Sequence, residues 1–187
     1  LEKLEQGMVT ITPAEVDVVH LSIQLIEELR SLAKRGQEIQ FDHSGTDRIV
    51  FQDRGMLTNV ISNLVSNAIK FTSRGGVTLS LHVHSQTKSD VTLVFKVVDT
   101  GMGIPSDKLQ TIFEPYQQSN KDINRRFGGT GLGLAIVKNL LELHNSQLKV
   151  KSAPDEGSEF SFSIQFIKSK INLQPEIVSM EEEDTKD

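Results

Sequence analysis

Three stretches of this sequence gather residue types that could do chemistry together. The first is a segment of helical period, residues 54–71. Its apolar positions Met56, Leu57, Val60, Ile61, Leu64, Val65, Ala68 and Ile69 form one stripe. The other stripe holds Asn59, Ser62, Asn63, Ser66, Asn67 and Lys70, and no charged residue stands between Gly55 and Ile69. A helix face in water normally carries Glu, Lys or Arg, which are good helix formers, whereas Asn is not. Either this stripe faces something other than bulk water, or the helix is a partly exposed one of poor propensity. Under the first reading, Asn63 and Asn67 lie one turn apart on the same side, with Lys70 three residues further on. A side-chain amide oxygen can ligate Mg2+, and a lysine ammonium can meet phosphate as a point charge.

The second stretch is Asp99-Thr100-Gly101-Met102-Gly103, directly after an apolar strand pattern. Taken alone it reads as a turn. The chemical reading is a carboxylate, held at a strand end, that accepts a hydrogen bond from an exocyclic amine such as adenine N6. A guanine carbonyl at that place would leave both groups unpaired. The third stretch, GGTGLGLA at residues 128–135, runs into a helix. Glycines let backbone N–H groups approach an anion, and a helix N-terminus adds positive dipole. No GK[ST] follows, so it is not a P-loop. Polar Asn124, Arg125 and Arg126 stand where a dinucleotide fingerprint needs a strand.

The elements that must position these stretches follow from periodicity. Asp53 can cap the helix 54–71. Residues 18–35 repeat apolar residues at Val18, Leu21, Leu25, Leu29 and Leu32, which predicts a helix capped by Asp17 or by a Thr12/Glu15 capping box. Strands are expected at 38–41 and 48–51, with a β-like run at 8–12. Two alternating segments, Val77 to Val83 and Val91 to Val97, read as a hairpin. A short helix is expected within 105–114, a polar mobile loop over 115–129, a helix over 132–144, and strands at 149–152 and 159–166. Helices with one apolar stripe interleaved with one-faced strands give an α/β (α+β) two-layer sandwich. Its sheet is mixed and mostly antiparallel, with helices on one face.

The chain of 187 residues carries a net charge of −5, which offers no basic footprint for nucleic acid. It has no cysteine, hence no disulfide framework and no thiolate metal site. No stretch is long and apolar enough to span a bilayer, and none opens the chain as a signal peptide.

In this order the segments resemble the catalytic ATP-binding domain of sensor histidine kinases, the Bergerat-type fold shared with gyrase B, MutL and Hsp90. NLVSNAIKFT (63–72) resembles the N box and DTGMGI (99–104) the first glycine box. FEPYQQ (113–118) resembles the F box, GGTGLGLAI (128–136) the second glycine box, and GSEFSF (157–162) the last glycine turn, with Ser158 at its Thr/Ser position. The resemblance covers roughly residues 17–167. It implies Asn67 as the Mg2+ ligand, with Asn63 beside the phosphates and Lys70 on phosphate. Asp99 would bind the adenine amine, with Gly101, Gly103 and Ile104 shaping that wall. Gly129, Thr130, Gly131 and Gly133 would form the closing lid over the triphosphate, and Leu132 and Leu134 would pack at the pocket edge. Arg125 or Arg126 would reach the γ-phosphate, and Phe113 would anchor the lid to the core. Gyrase-type relatives carry a water-activating glutamate one turn before the metal-binding Asn; here that position is Asn63, which cannot act as a base.

The resemblance further implies three parts: residues 1–12 as the remnant of a dimerisation helix and linker, 13–168 as the ATP-binding domain, and 169–187 as an acidic disordered tail or linker. Its partners would be ATP, a histidine phosphoacceptor and dimerisation domain of the same parent, and a response-regulator receiver. The parent is expected to be a homodimer, and the domain cytoplasmic, compatible with an inner-membrane-anchored parent. None of the five histidines sits in a phosphoacceptor-type segment. His82 and His84 alternate on a strand, where they are expected to face solvent. Competing readings are a nucleotide-binding regulatory module without transfer activity, and an ATPase of the gyrase type.

Overall fold

The computed structural model describes residues 12–45, 49–114 and 131–168. The element order is β1 (Ala14–Asp17), α1 (Val18–Arg30), β2 (Gln37–Ser44), β3 (Ile49–Gln52), α2 (Arg54–Phe71), β4 (Gly75–Gln86), β5 (Asp90–Asp99), α3 (Gly133–Leu143), β6 (Lys149–Ser152) and β7 (Ser158–Lys168). Single 3-10 turns at Ser106–Lys108 and Thr111–Phe113 follow β5.

The expected sandwich is present. The sheet runs β1-β3-β7-β5-β4-β2, with β6 also on β7. Only β2 with β4 is parallel; every other described pairing is antiparallel. In β5 and β7 every second residue is buried, so Val91, Leu93, Phe95 and Val97 meet Phe160, Phe162, Ile164 and Phe166 in one layer. Phe95 and Phe162 stack with centroids 4.9 Å apart. The apolar stripe of α2 lies on this layer and is flanked by α1 and α3. The opposite sheet face carries polar and charged groups, among them Lys96 paired with Glu159 at 3.3 Å.

Several sequence expectations need correction. Residues 14–17 form a strand that pairs with β3, in a run of four residues too short for its alternation to show. Of the two candidate caps for α1, Asp17 is used, accepting from the N–H groups of Val19 and His20. The helix stops at Arg30, not at residue 35. Leu32 is 55% exposed, so its place in the apolar repeat buries little, and Gly36 at φ +90° turns the chain into β2. The expected short helix in 105–114 is two separate 3-10 turns, neither with a side-chain cap. β2 and β7 extend beyond the predicted runs, to Ser44 and Lys168. The β-like run at 8–12, apart from Thr12, lies outside the described residues, as do the loop 115–129 and the terminal segments 1–11 and 169–187.

The cap of α2 is as expected. Asp53 accepts from the Met56 N–H at 3.0 Å and from the Thr12 N–H at 2.9 Å, tying the entry strand to the central helix. Partial burial pushes its carboxyl up, but N–H donors from Thr12, Met56 and Gly55, with His144 nearby, hold it below the usual carboxylate range. A lowered native pKa gives stability that is full above the unfolded-chain value and is lost as pH falls through the native one. Asp53→Ala should therefore cost roughly 1–2 kcal/mol at neutral pH. Urea unfolding across pH checks this: the difference from the unsubstituted chain should shrink on acidification, and a gap constant into the acid range would contradict it.

Candidate functional site

The alternation of β5 does not end with its apolar residues. Asp99 occupies the next inward position after Val97 and is 5% exposed, so a carboxylate closes an otherwise apolar row. Its direct cross-strand partner on β7 is Ser158, which is also inward and buried. The Gly101 N–H donates to Asp99 Oδ1 at 2.8 Å, and Ser158 brings a backbone and a hydroxyl donor beside the same carboxyl group. Burial raises the Asp99 pKa and these donors offset only part of the rise. The group thus favours the fold most when protonated, and that contribution is lost as pH rises through the raised value. A carboxylate kept at this cost in stability is a candidate for function.

The turn after Asp99 is shaped by close approach. A Cβ on Gly101 would stand 2.7 Å from Asp99 Oδ1 and would also strike the Phe71 carbonyl. Gly103, at φ +66°, passes against the Ala153 carbonyl. Ile104 is half-buried against the core, and its N–H donates to Ser152 Oγ at 2.8 Å. Thus two turns meet here, the one after β5 and the one between β6 and β7. A cleft of about 320 Å³ opens beside them, lined by Asp99, Ser152, Gly157 and Ser158 among others.

The Asn stripe of α2 is half-buried at Ser62, Asn63, Ser66, Asn67 and Lys70. What faces it is the start of α3. A Cβ on Gly133 would lie 2.7 Å from Asn63 Oδ1 and 3.9 Å from Asn67 Nδ2, so glycine permits this contact. Asn63 Nδ2 donates back to the Asn59 carbonyl at 2.8 Å, which leaves Oδ1 turned towards α3. Leu132 at the N-cap offers no side-chain hydrogen bond to the first N–H groups of α3. Uncapped N–H groups and a positive helix end therefore stand over a neutral amide stripe, an arrangement suited to an anion. Lys70 lies in the last turn of α2 with Nζ 4.9 Å from the Phe71 ring centroid, and burial lowers its pKa.

Among the other expected site residues, Gly131 is at φ +69°, and Leu132 and Leu134 are half-buried, Leu134 against the core. Phe113 is half-buried in the turn that packs on α3, beside a separate hollow of about 260 Å³. Arg125, Arg126, Gly129 and Thr130 lie outside the described residues. His82 lies on the outer face of β4, half-buried, with its ring 2.8 Å from Ser44 Oγ in an exposed hydrogen bond; His84 is exposed. Among the described residues no cluster of three His, Cys, Asp or Glu could hold a metal, so oxygen donors of Asn type are what the site offers. Sequence reasoning missed Ser152. Its one signal is that Val150 and Ser152 are the half-buried positions of β6, with Ser152 opposite Ser158.

Residues 52–168 match the family of histidine kinase-, DNA gyrase B- and HSP90-like ATPases, and the chain belongs to that family. Its curated relatives are sensor and hybrid histidine kinases. It is 33% identical over 184 residues to the hybrid signal transduction protein dokA of Dictyostelium discoideum, matching 94% of this chain and 11% of that one. It is 34% identical over 164 residues to the circadian input-output histidine kinase CikA of Synechococcus elongatus, matching 86% of this chain and 21% of the relative. The chain thus spans about a tenth to a fifth of these proteins. Among solved structures, full-length ShkA in complex with AMPPNP is similar at TM-score 0.76 and 30% identity, over 90% of this chain and 34% of that one. The catalytic domain of the histidine kinase ThkA shares the fold at TM-score 0.62 and 24% identity, over 82% of this chain and 95% of that one.

The fit around Asp99 makes a direct prediction. Gly101→Ala should destabilise the chain by about 1–3 kcal/mol through overpacking. Met102→Ala, at a side chain 45% exposed, should stay within about 0.5 kcal/mol. Paired urea titrations separate the two, and equal costs would show that the turn has room to spare.

Proposed function

We propose that this chain is the Mg-ATP-binding catalytic domain of a two-component sensor histidine kinase. It would donate the γ-phosphate of ATP to a histidine on a separate dimerisation domain, for relay to a receiver aspartate. The observation that carries this reading is the buried Asp99 carboxylate at the mouth of the sheet, one strand end away from a neutral Asn stripe under an uncapped helix N-terminus.

In this reading the residues divide the nucleotide between them. Ionised Asp99 accepts the adenine N6 hydrogen, and Gly101, Gly103 and Ile104 leave a wall close enough for a flat base. Asn67 would hold Mg2+ through its amide oxygen, as a hard cation prefers; bound there, the ion would neutralise phosphate charge. Asn63 and Lys70, with the first N–H groups of α3, orient the phosphates, and Gly131 and Gly133 keep backbone close to them. Gly129 and Thr130, with one of Arg125 and Arg126, would complete the phosphate contacts. Asn63 has no basic lone pair with which to take a proton from water, so the γ-phosphate is held for another acceptor. That acceptor, the receiver and the homodimeric parent would come from outside this chain.

The test is to mix the chain with Mg-ATP and a histidine-bearing helical phosphoacceptor domain. Acid-labile, base-stable phosphate on that domain is the expected outcome. Steady hydrolysis that Asn63→Ala leaves unchanged would point to a gyrase-type ATPase instead.

Two substitutions probe the ends of the site. Asp99→Asn puts an N–H2 where the base must donate, so ATP affinity measured by calorimetry should fall at least about a hundredfold while the thermal transition persists. Unchanged affinity would remove Asp99 from base recognition. Asn67→Ala should abolish the Mg2+ dependence of nucleotide binding, and survival of that dependence would move the metal ligand elsewhere.

A further inference from the structure

The last turn of α2 ends against the first residue of β2. Thr72, the residue after the helix, has an extended backbone, so the chain leaves the helix directly after Lys70 and Phe71. A helix end leaves its final carbonyls without intrahelical donors, and the turn frays unless other groups supply the hydrogens. Donors from two other places supply them here. The Met102 N–H donates to the Phe71 carbonyl at 3.3 Å. The side-chain amide of Gln37 donates through Nε2 to the Ile69 carbonyl at 2.9 Å and to the Thr72 carbonyl.

Only one orientation of the Gln37 amide fits these bonds. Its Oε1 accepts the Lys34 N–H at 2.7 Å, and the Gln37 backbone N–H donates to the Lys34 carbonyl at 3.1 Å. The oxygen is taken by the turn before β2, so both Nε2 hydrogens are left for the helix end. Gln37 is half-buried and in register with Gly75 at the start of β4. Val77, also near the start of β4, pairs with Asp99. The amide therefore ties α2 to the same end of the sheet that carries Asp99.

The two carbonyls that Gln37 holds lie on either side of Lys70 and Phe71 in the chain. We propose that Gln37 is a positioning residue for Lys70: by closing the last turn of α2 it keeps the lysine on the face of Asn63 and Asn67, where it meets phosphate. This rests on the assignment of Lys70 to phosphate. A side chain without donors at position 37 would let the turn open, and the long lysine stem would then spread over more positions. The Phe71 carbonyl keeps its own donor in Met102 and the Asp99 carboxyl its own in Gly101, so the turn after β5 does not hang on Gln37. Loss of Gln37 is therefore felt at the triphosphate and not at the base.

The experiment compares the 187-residue chain with Gln37→Met, which keeps the length of the side chain but has no N–H to donate, with Lys70→Met, and with the double variant. The probes are Mg-ATP, Mg-bound inorganic triphosphate and adenosine, titrated by calorimetry or NMR. Gln37→Met should weaken Mg-ATP and triphosphate about fivefold and adenosine by less than about twofold. Lys70→Met should weaken Mg-ATP at least about tenfold. In the Lys70→Met background the loss from Gln37→Met should fall below about twofold, because the residue it positions is gone. Gln37→Asn, which keeps the amide on a stem too short to reach both carbonyls, carries the same expectations and serves where Gln37→Met does not fold. Equal losses in the two backgrounds, equal losses for adenosine and Mg-ATP, or no loss at all would overturn the role of Gln37 and leave Lys70 in place. Mg-ATP affinity that Lys70→Met leaves unchanged would overturn the phosphate assignment itself and this inference with it.

Discussion

One constraint organises this molecule: a carboxylate stands where strand alternation demands an apolar side chain. Asp99 takes the fifth inward position of β5 after four hydrophobic ones. Sheet register cannot slip to expose it, because a shift of one residue would turn Phe95 and its neighbours out to water. The charge must be satisfied locally, and the surroundings are built for that. Ser158 arrives opposite through the β5–β7 register, and Gly101 brings a backbone donor so close that no Cβ fits. Gly157, at φ +78°, lets the β6–β7 turn pass against the Asp99 backbone. The donors do not fully offset burial, since the carboxyl remains above its ordinary range. The remaining deficit is one that a donor on a ligand would make good.

The other half of the site uses the opposite device, an absence of negative charge. A glutamate among the amides of the α2 stripe would repel an anion; amides do not, and the stripe's one charge, Lys70 in the last turn, is a cation. Their cost in helix propensity is offset by the apolar stripe on the other side, eight residues buried against the sheet. Gly133 then brings the start of α3 onto the amides. Dipole and hydrogen-bond donors come from backbone, so only small side chains are tolerated at the contact.

Much of this was legible in the sequence because each feature broke a local expectation. The chargeless polar stripe, the acid ending an apolar strand and the glycine run into a helix were all visible as residue patterns. The span of α2 and its Asp53 cap follow directly from periodicity and capping chemistry. What stayed hidden depends on tertiary contacts. β1 is four residues long and exists through its pairing with β3. Leu32 continued the apolar repeat of α1 in sequence, but it lies past the helix end and stays 55% exposed. Ser152 is an ordinary serine until register sets it opposite Ser158 and the glycine turn delivers the Ile104 N–H. Hydroxyl networks of this kind have no sequence signature, since serine is common in strands and loops alike.

The two halves of the site also differ in how firmly they are held. The end proposed to take the base is braced by the centre of the sheet: β5 lies between β4 and β7, and its terminal residues pair on both sides. The end proposed to take phosphate depends on α3, to whose first turn Leu132 gives no side-chain cap and which meets α2 through a glycine. Helix ends without caps gain most from an added anion, because orphan N–H groups then find partners. Nucleotide would therefore be read first by a rigid wall and completed by a less determined helix end. In a domain proposed to deliver phosphate to a separate acceptor, that order is useful: recognition rests on paired strands, while the end that must give up phosphate is a helix start to which Leu132 gives no side-chain cap.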